Sequence, residues 1–173
     1  MTVVVLVLLG VVVLVGAGLM LRGERLRNPL GALALVGLLG VAAVLAWQAG
    51  RAGEGAAAAG LLLAVGAAAL GGGPVVTAVL RAADPASAPH RPRASDPEVL
   101  RGGAWIGVLE RTAIAGTVLA GWTDGLAVLI AVKGLGRFNE LKAPVAAERF
   151  IIGTLASGLW ALACVGVAVL LRT

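Results

Sequence analysis

The sequence predicts an all-α fold, a polytopic transmembrane helical bundle with about six spanning helices. Its 173 residues are 60% hydrophobic and 13% charged, whereas soluble domains average roughly 45–50% apolar and 25% charged residues. The mean hydropathy is +1.00. Apolar runs recur from Thr2 to Leu171, and a run of about 17–25 residues crosses a hydrocarbon core about 30 Å thick. We therefore expect lipid to be the solvent for most of the chain.

Three apolar runs, at about residues 2–21, 31–49 and 56–80, predict the first three helices. The polar segments between them cannot lie in lipid, because hydrocarbon satisfies no exposed backbone group. The first run is interpreted as a retained helix, since no Lys or Arg precedes it and it exceeds the apolar part of a typical signal peptide. In the third run, Gly71-Gly-Gly-Pro74 predicts a kink or a short unwound turn, because proline removes a backbone hydrogen bond.

The chain divides at residues 81–103, where Pro, Ser, Asp and Arg without apolar periodicity predict one long cytoplasmic loop. A three-helix N-terminal half, residues 1–80, precedes it, and a three-helix C-terminal half, residues 104–173, carries the buried charges. The second half contains an apolar run at 104–122, a turn at 123–125, a shorter run to about 135, a polar hinge to 144 and a last run at 150–171. The turn predicts a hairpin of the fourth and fifth helices.

The basic residues predict the orientation of the chain in the membrane. Ten of them fall between helices one and two, three and four, or five and six: Arg22, Arg25, Arg27, Arg81, Arg91, Arg93, Arg101, Arg137, Lys142 and Arg149. The opposite loops and tail carry only Arg51 and Arg172. Because basic short loops stay in the cytoplasm, both termini are expected on the non-cytoplasmic side. The Ala, Gly, Val, Leu and Arg bias indicates a bacterial source, and hence a bacterial cell (inner) membrane.

Several classes of partner and site are not expected. The net charge of +5 is spread over short loops and helix ends, which is typical of contact with anionic lipid and not of nucleic-acid binding. Cys164 is the single cysteine, so no disulfide and no cysteine-based metal site forms within one chain. His90 has no second histidine near it, and we expect no metal and no cofactor.

Glu110, Arg111 and Lys133 are the ionisable residues predicted at membrane depth, and they mark the candidate functional site. A charge at the centre of a spanning helix costs roughly 2.5–3.5 kcal/mol, so such groups usually face protein or water. One interpretation is structural: Glu110 pairs with Lys133 across the hairpin, while Arg111 or Arg137 reaches cytoplasmic phosphates. On the fifth helix, Lys133, Arg137 and Glu140 have i, i+4 and i+7 spacing, which predicts a shared face.

The other interpretation is an anion site in the cytoplasmic half. Its charged residues sum to plus two: Glu110, Arg111, Lys133, Arg137, Glu148 and Arg149. The planar fork of arginine and the point charge of lysine suit a phosphate, as in an anionic phospholipid or a polyprenyl phosphate. A proton or ion path through Glu110 is a third interpretation.

Two further features belong to this half of the chain. Thr154 and Ser157 lie on one stripe of the last helix, and Gly153 with Ser157 forms a pair of small residues that predicts close packing. A hydroxyl-lined path is the alternative, in which both hydroxyls would be ligands. Asp124, in the outer turn, is expected to cap the fifth helix, and it is a candidate catalytic acid alongside Glu110.

The strings GAWIGVLER, AVKGLGRF and AERFIIGTLASGLW occur in this order at residues 103–160. This region resembles the C-terminal membrane region of a family of small bacterial integral membrane proteins classed as a domain of unknown function. In that family Ile-Gly-x-x-Glu-Arg, Lys-x-x-x-Arg-Phe and Ile-Gly-Thr-Leu-x-Ser recur. The residues that match are Glu110, Arg111, Lys133, Arg137, Phe138, Glu148, Gly153, Thr154 and Ser157. The resemblance implies that helices four to six are the functional half, and it implies no activity.

Three functional hypotheses follow. The favoured one is a membrane component that is not an enzyme and binds an anionic lipid, a phosphorylated ligand or a membrane partner. The second is a small proton- or ion-coupled transporter that uses Glu110 and a broken third helix, although no inverted repeat is visible. The third is an intramembrane enzyme acting on lipid or prenyl groups, with Glu110 or Asp124 as the acid and Lys133 and Arg137 holding a phosphate. The many small residues are also compatible with a homo-oligomer.

Overall fold

The computed structural model describes residues 1–21, 29–83 and 103–173, with the backbone alone of Glu140. Within these ranges the chain is all-helical, with six α-helices and one short 3-10 helix at Glu140–Lys142. The α-helices are α1 (Thr2–Leu21), α2 (Pro29–Ala49), α3 (Glu54–Ala83), α4 (Gly103–Leu119), α5 (Asp124–Gly136) and α6 (Pro144–Leu170). His90 and most of the predicted 81–103 loop lie outside the described residues.

Four of the described helices are long and apolar enough to cross a membrane: α1, α2, α3 and α6. The chain is therefore a membrane protein with a helical-bundle fold, which confirms the predicted class, while the expected number of about six spanning helices stays a prediction. The other two helices are shorter, with 17 residues in α4 and 13 in α5. At 1.5 Å per residue, α5 reaches about 20 Å, less than a hydrocarbon core of about 30 Å.

The centre of the bundle is formed by α3 and α6, which pack along each other. On one side α1 lies against α3, and α2 contacts α1, α3 and α6. On the other side α4 packs against α3 and α6, while the backbone of α5 lies close to that of α4. The ends of α3 and α6 are joined where the amide of Ala52 donates to the carbonyl of Leu171 at 2.9 Å. Helices of both halves thus form one bundle.

α1 and α3 approach each other closely at Gly16 and Gly71. A Cβ on Gly16 would lie 2.8 Å from both the Cα and the amide nitrogen of Gly71. The two backbones are therefore in direct contact, which only small residues permit. The predicted small pair in α6 packs less tightly, because a Cβ on Gly153 would meet Leu80 at an ordinary 3.7 Å.

Of the two alternatives predicted for the third helix, the unwound turn is wrong, because α3 is helical through Gly71, Gly72 and Pro74, and the kink stays a prediction. Transmembrane helices tolerate proline where neighbouring groups satisfy the backbone. Side chains from α4 and α6 donate to the carbonyls of Ala68 and Ala67, six and seven residues before the proline, and so hold this part of α3 against its neighbours. One turn later, the hydroxyl of Thr77 donates to the carbonyl of Gly73 at 3.0 Å.

Two expectations for the fifth helix are corrected. Because α5 ends at Gly136, Arg137 is its C-terminal cap and Glu140 belongs to the 3-10 helix, so the predicted shared face does not exist. The amide of Arg137 donates to the carbonyl of Gly134 at 3.2 Å, which closes the helix there. At the other end the capping residue is Thr123 and not Asp124, and its side chain makes no capping hydrogen bond.

Candidate functional site

Glu110 of α4 and Lys133 of α5 form a direct ion pair. The Lys133 Nζ lies 2.6 Å from Oε1 and 2.7 Å from Oε2 of Glu110. The side chain of Glu110 is 15% exposed and that of Lys133 is 22% exposed, so the pair is largely shielded from the surroundings. The Lys133 ammonium also lies 5.6 Å from the ring centroid of Phe150 on α6, within reach of a cation–π contact. The predicted pairing across the hairpin is confirmed, and it leaves the pair electrically neutral.

Arg111 points away from this pair and into the bundle, where it is 5% exposed. Its Nε donates to the carbonyls of Ala68 and Ala69 at 2.9 and 3.1 Å, and its Nη2 donates to Ala69 at 2.7 Å. Bonds from a charged donor are stronger than neutral ones, which offsets part of the cost of burying the guanidinium. The alternative in which Arg111 reaches cytoplasmic phosphates is therefore not what the structure shows.

Trp160 of α6 completes this arrangement on α3. Its indole Nε1 donates to the carbonyl of Ala67 at 3.1 Å, and the residue is 5% exposed. Side chains from α4 and α6 thus bind three consecutive carbonyls of α3. We call this group the α3 carbonyl cluster: Arg111, Trp160 and the carbonyls of Ala67, Ala68 and Ala69.

Glycines that sequence reasoning assigned no role here make room for the α3 carbonyl cluster. A Cβ on Gly72 would overlap the Arg111 side chain, and one on Gly71 would lie 2.7 Å from the Trp160 ring. On α4, a Cβ on Gly107 would meet Arg111 Nη1 at 3.0 Å. Because a helical side chain leans toward the preceding turn, a glycine four residues before an arginine is the sequence signal that predicts this space.

Thr154 and Ser157 of α6 have buried hydroxyls without a hydrogen-bond partner among the described residues. Other threonines of the bundle donate to their own helix, as Thr77 does to Gly73 and Thr117 does to Ile114. An unpaired buried hydroxyl costs roughly 1–3 kcal/mol. These two side chains are therefore the polar groups of the C-terminal half that its own atoms leave unsatisfied.

Replacing these hydroxyls tests whether something fills the space beside them. In a dry interior, Thr154→Val and Ser157→Ala remove an unpaired group, and each is expected to leave the free energy of unfolding unchanged or raise it by about 1 kcal/mol. The measurement is SDS-induced unfolding in mild detergent. Thr77→Val, which loses a bond that is present, is the matched control and should destabilise. Destabilisation by Ser157→Ala as well would show that its hydroxyl binds a water or a ligand.

The remaining candidates lie at the end of the bundle where α3 stops and α6 starts. Arg137 follows α5, Lys142 closes the 3-10 helix, and Glu148 and Arg149 lie in the first turns of α6. The Lys142 ammonium lies 5.6 Å from the ring centroid of Phe138. We call this surface the basic rim, and define it by Arg81, Arg137, Lys142, Glu148 and Arg149.

Asp124 is not brought near the basic rim. It begins α5 and is exposed in the hairpin turn, nine residues before Lys133, which corresponds to about 14 Å along the helix. An acid at Asp124 and a phosphate held by Lys133 and Arg137 would therefore lie far apart. Among the described residues, no three of His, Cys, Asp or Glu come together to hold a metal ion.

A cavity of about 630 Å³ lies on another side of the bundle, between α2, α3 and α6. Its lining is apolar and includes Trp160, whose other edge belongs to the α3 carbonyl cluster. Neither Glu110 nor Lys133 contributes to it. No protein-family model matches this chain, and no curated protein or solved structure is found to be similar to it. The function must therefore be argued from the geometry.

Proposed function

We propose that this chain is a component of a bacterial cell membrane that is not an enzyme and binds anionic phospholipid at the cytoplasmic end of its bundle. The observation that carries the proposal is the division of its charges. Those deep in the bundle are satisfied within the protein, because Glu110 neutralises Lys133 and Arg111 donates to α3. The basic rim adds four cations, Arg81, Arg137, Lys142 and Arg149, together with the carboxylate of Glu148, at one end of the bundle.

The basic rim has the charge and the location that an anionic lipid surface attracts. It combines four cations with the carboxylate of Glu148. The distribution of Lys and Arg supports a cytoplasmic location for this end. Near an anionic surface, each basic residue contributes about 1 kcal/mol of attraction to the lipid. A polyprenyl phosphate also carries an anionic phosphate and would be attracted to the same cations.

The alternatives receive less support. The transporter hypothesis used a break in the third helix as its gate, but α3 runs unbroken through Pro74. The observation that favours a proton or ion path is the pair of unpartnered hydroxyls, Thr154 and Ser157. The enzyme hypothesis with Glu110 as the acid needs this carboxyl group beside a substrate cavity, whereas Glu110 is paired with Lys133 and does not line the apolar cavity.

Neutralising the basic rim tests the proposal. In mild detergent, native mass spectrometry with added phosphatidylglycerol or phosphatidylcholine should show that the wild-type chain prefers phosphatidylglycerol. Arg137→Gln with Lys142→Gln should weaken phosphatidylglycerol binding roughly 30-fold, since two charges at about 1 kcal/mol each are lost. Phosphatidylcholine binding should change little.

The matched control removes the same charge at the opposite end of the bundle. Arg51 and Arg172 are joined there by a hydrogen bond from Arg51 Nε to the Arg172 carbonyl at 3.2 Å. Arg51→Gln with Arg172→Gln should leave the preference for phosphatidylglycerol unchanged. An equal loss in both double variants, or no preference in the wild-type chain, would reject the proposal.

A further inference from the structure

The apolar cavity is an open groove with a buried floor and exposed walls. Leu39, Val75 and Trp160 form the floor and are each less than 10% exposed. Leu155 and Leu159, on the α6 wall, are 59% and 66% exposed. The volume of about 630 Å³ lies within the range of roughly 300–1,000 Å³ that is typical of sites for small ligands. The groove therefore faces the surroundings of the bundle along its length.

Small residues on α2 and α6 leave this space open. They are Gly40 and Ala43 on α2 and Ala156 and Ala163 on α6. Small residues in membrane helices usually allow close approach, as at Gly16 and Gly71, but a Cβ built on Gly40 would meet nothing within 4 Å. Side chains beside an empty gap lose their dispersion contacts, so in a bilayer a lipid chain should fill it.

We propose that this groove holds one acyl chain of an anionic phospholipid, whose phosphate binds Arg149 at the cytoplasmic mouth. The inference rests on the proposed function, from which it takes the orientation and the lipid class. The groove extends along α6 from Ile152 to Ala163, about 16 Å at 1.5 Å per residue. That length matches one leaflet of a hydrocarbon core about 30 Å thick.

The position of Arg149 on α6 supplies the charge complementarity. It precedes Ile152 by three residues and Ala156 by seven, a spacing that places all three on one face of the helix. A phospholipid with its chain in the groove has its phosphate at the polar end of that face. The guanidinium fork of arginine suits a phosphate better than a lysine ammonium does. Arg149 does not line the groove itself, and lies about one helical turn beyond its Ile152 end, within the basic rim.

Filling the groove is the first part of the test. Ala156→Leu with Ala163→Leu adds bulk to the α6 wall, and Ala131→Leu adds it to exposed α5 as the matched control. With phosphatidylglycerol or phosphatidylcholine of identical chains, native mass spectrometry should detect one tightly retained lipid per wild-type chain. The groove variant should bind both lipids at least tenfold more weakly than the wild-type chain, and the Ala131→Leu control should bind them as the wild type does. Arg149→Gln should lose only the preference for phosphatidylglycerol.

Quenching of tryptophan fluorescence gives a second readout that does not depend on detergent. In a chain with Trp47, Trp105 and Trp122 changed to Phe, phosphatidylglycerol brominated in its chains should quench Trp160 in vesicles. Ala156→Leu should relieve the quenching, and Ala131→Leu should not. Both variants must elute at the wild-type position in size exclusion, so that misfolding is excluded as the cause.

The outcomes separate this inference from the proposed function. If Arg137→Gln with Lys142→Gln weakens phosphatidylglycerol binding while the groove variant binds as the wild type does, the inference is wrong and the proposed function stands. If no anionic preference exists but groove filling still displaces phosphatidylcholine, the proposed function and the role of Arg149 are wrong. A dimer that Ala156→Leu dissociates would show that a second copy occupies the groove, and would overturn the inference.

Discussion

Glu110→Gln is expected to lower the free energy of unfolding of the bundle by about 2–3 kcal/mol, because it leaves Lys133 shielded and without its carboxylate. This loss lies somewhat below that of fully buried pairs, since Glu110 and Lys133 are 15% and 22% exposed. The substitution also removes the anion next to Arg111, so two cations lose their counter-charge together. SDS-induced unfolding in mild detergent, followed by circular dichroism, measures the loss.

Lys133→Met is the complementary change and should cost less. The carboxylate it leaves behind has Arg111 as its neighbour in sequence, which provides a second positive charge. The double variant Glu110→Gln with Lys133→Met should be more stable than the sum of the single losses predicts, with a coupling free energy of about 1–3 kcal/mol. Additive losses would contradict a direct interaction between the two side chains.

Gly16→Ala is expected to destabilise the bundle by about 2–3 kcal/mol through overpacking. The new methyl group would lie 2.8 Å from backbone atoms of Gly71. A backbone cannot rotate away as a side chain can, so α1 and α3 must move apart along their contact. The measurement is the midpoint of thermal unfolding in mild detergent, followed by size exclusion of the soluble fraction.

Gly10→Ala is the matched control, since it makes the same change on α1 where a Cβ would meet nothing within 4 Å. Its effect should stay within about 0.5 kcal/mol. Equal effects at both positions would show that the cost arises from the helix itself and not from the contact with α3. A change at Gly16 alone would show that the cost arises from the backbone contact of Gly16 with Gly71.

The sequence predicted the Glu110–Lys133 pair, because that pair depends on the local hairpin of α4 and α5. Glu110 and Lys133 lie at similar depths on two antiparallel helices joined by a short turn, and opposite charges in such a position pair to avoid isolated burial. The hydrogen bonds of Arg111 to α3 could not be predicted in the same way, because adjacent helical residues such as Glu110 and Arg111 point about 100° apart. Which of the two faces a neighbouring helix depends on where that helix lies.

The sequence by itself determined that this chain is a helical membrane protein and where most of its described helices lie. The exception is α6, which begins at Pro144, six residues before the predicted run, and therefore includes Glu148 and Arg149. The physical reason is that a bilayer satisfies no backbone polar group, so long apolar runs must be helical. Tertiary structure alone decided that α3 continues through Pro74, that Arg111 and Trp160 bind its carbonyls, and that Gly40 borders an open groove while Gly16 touches Gly71. Those outcomes depend on distances between helices, and the same small residues allow both close contact and a gap.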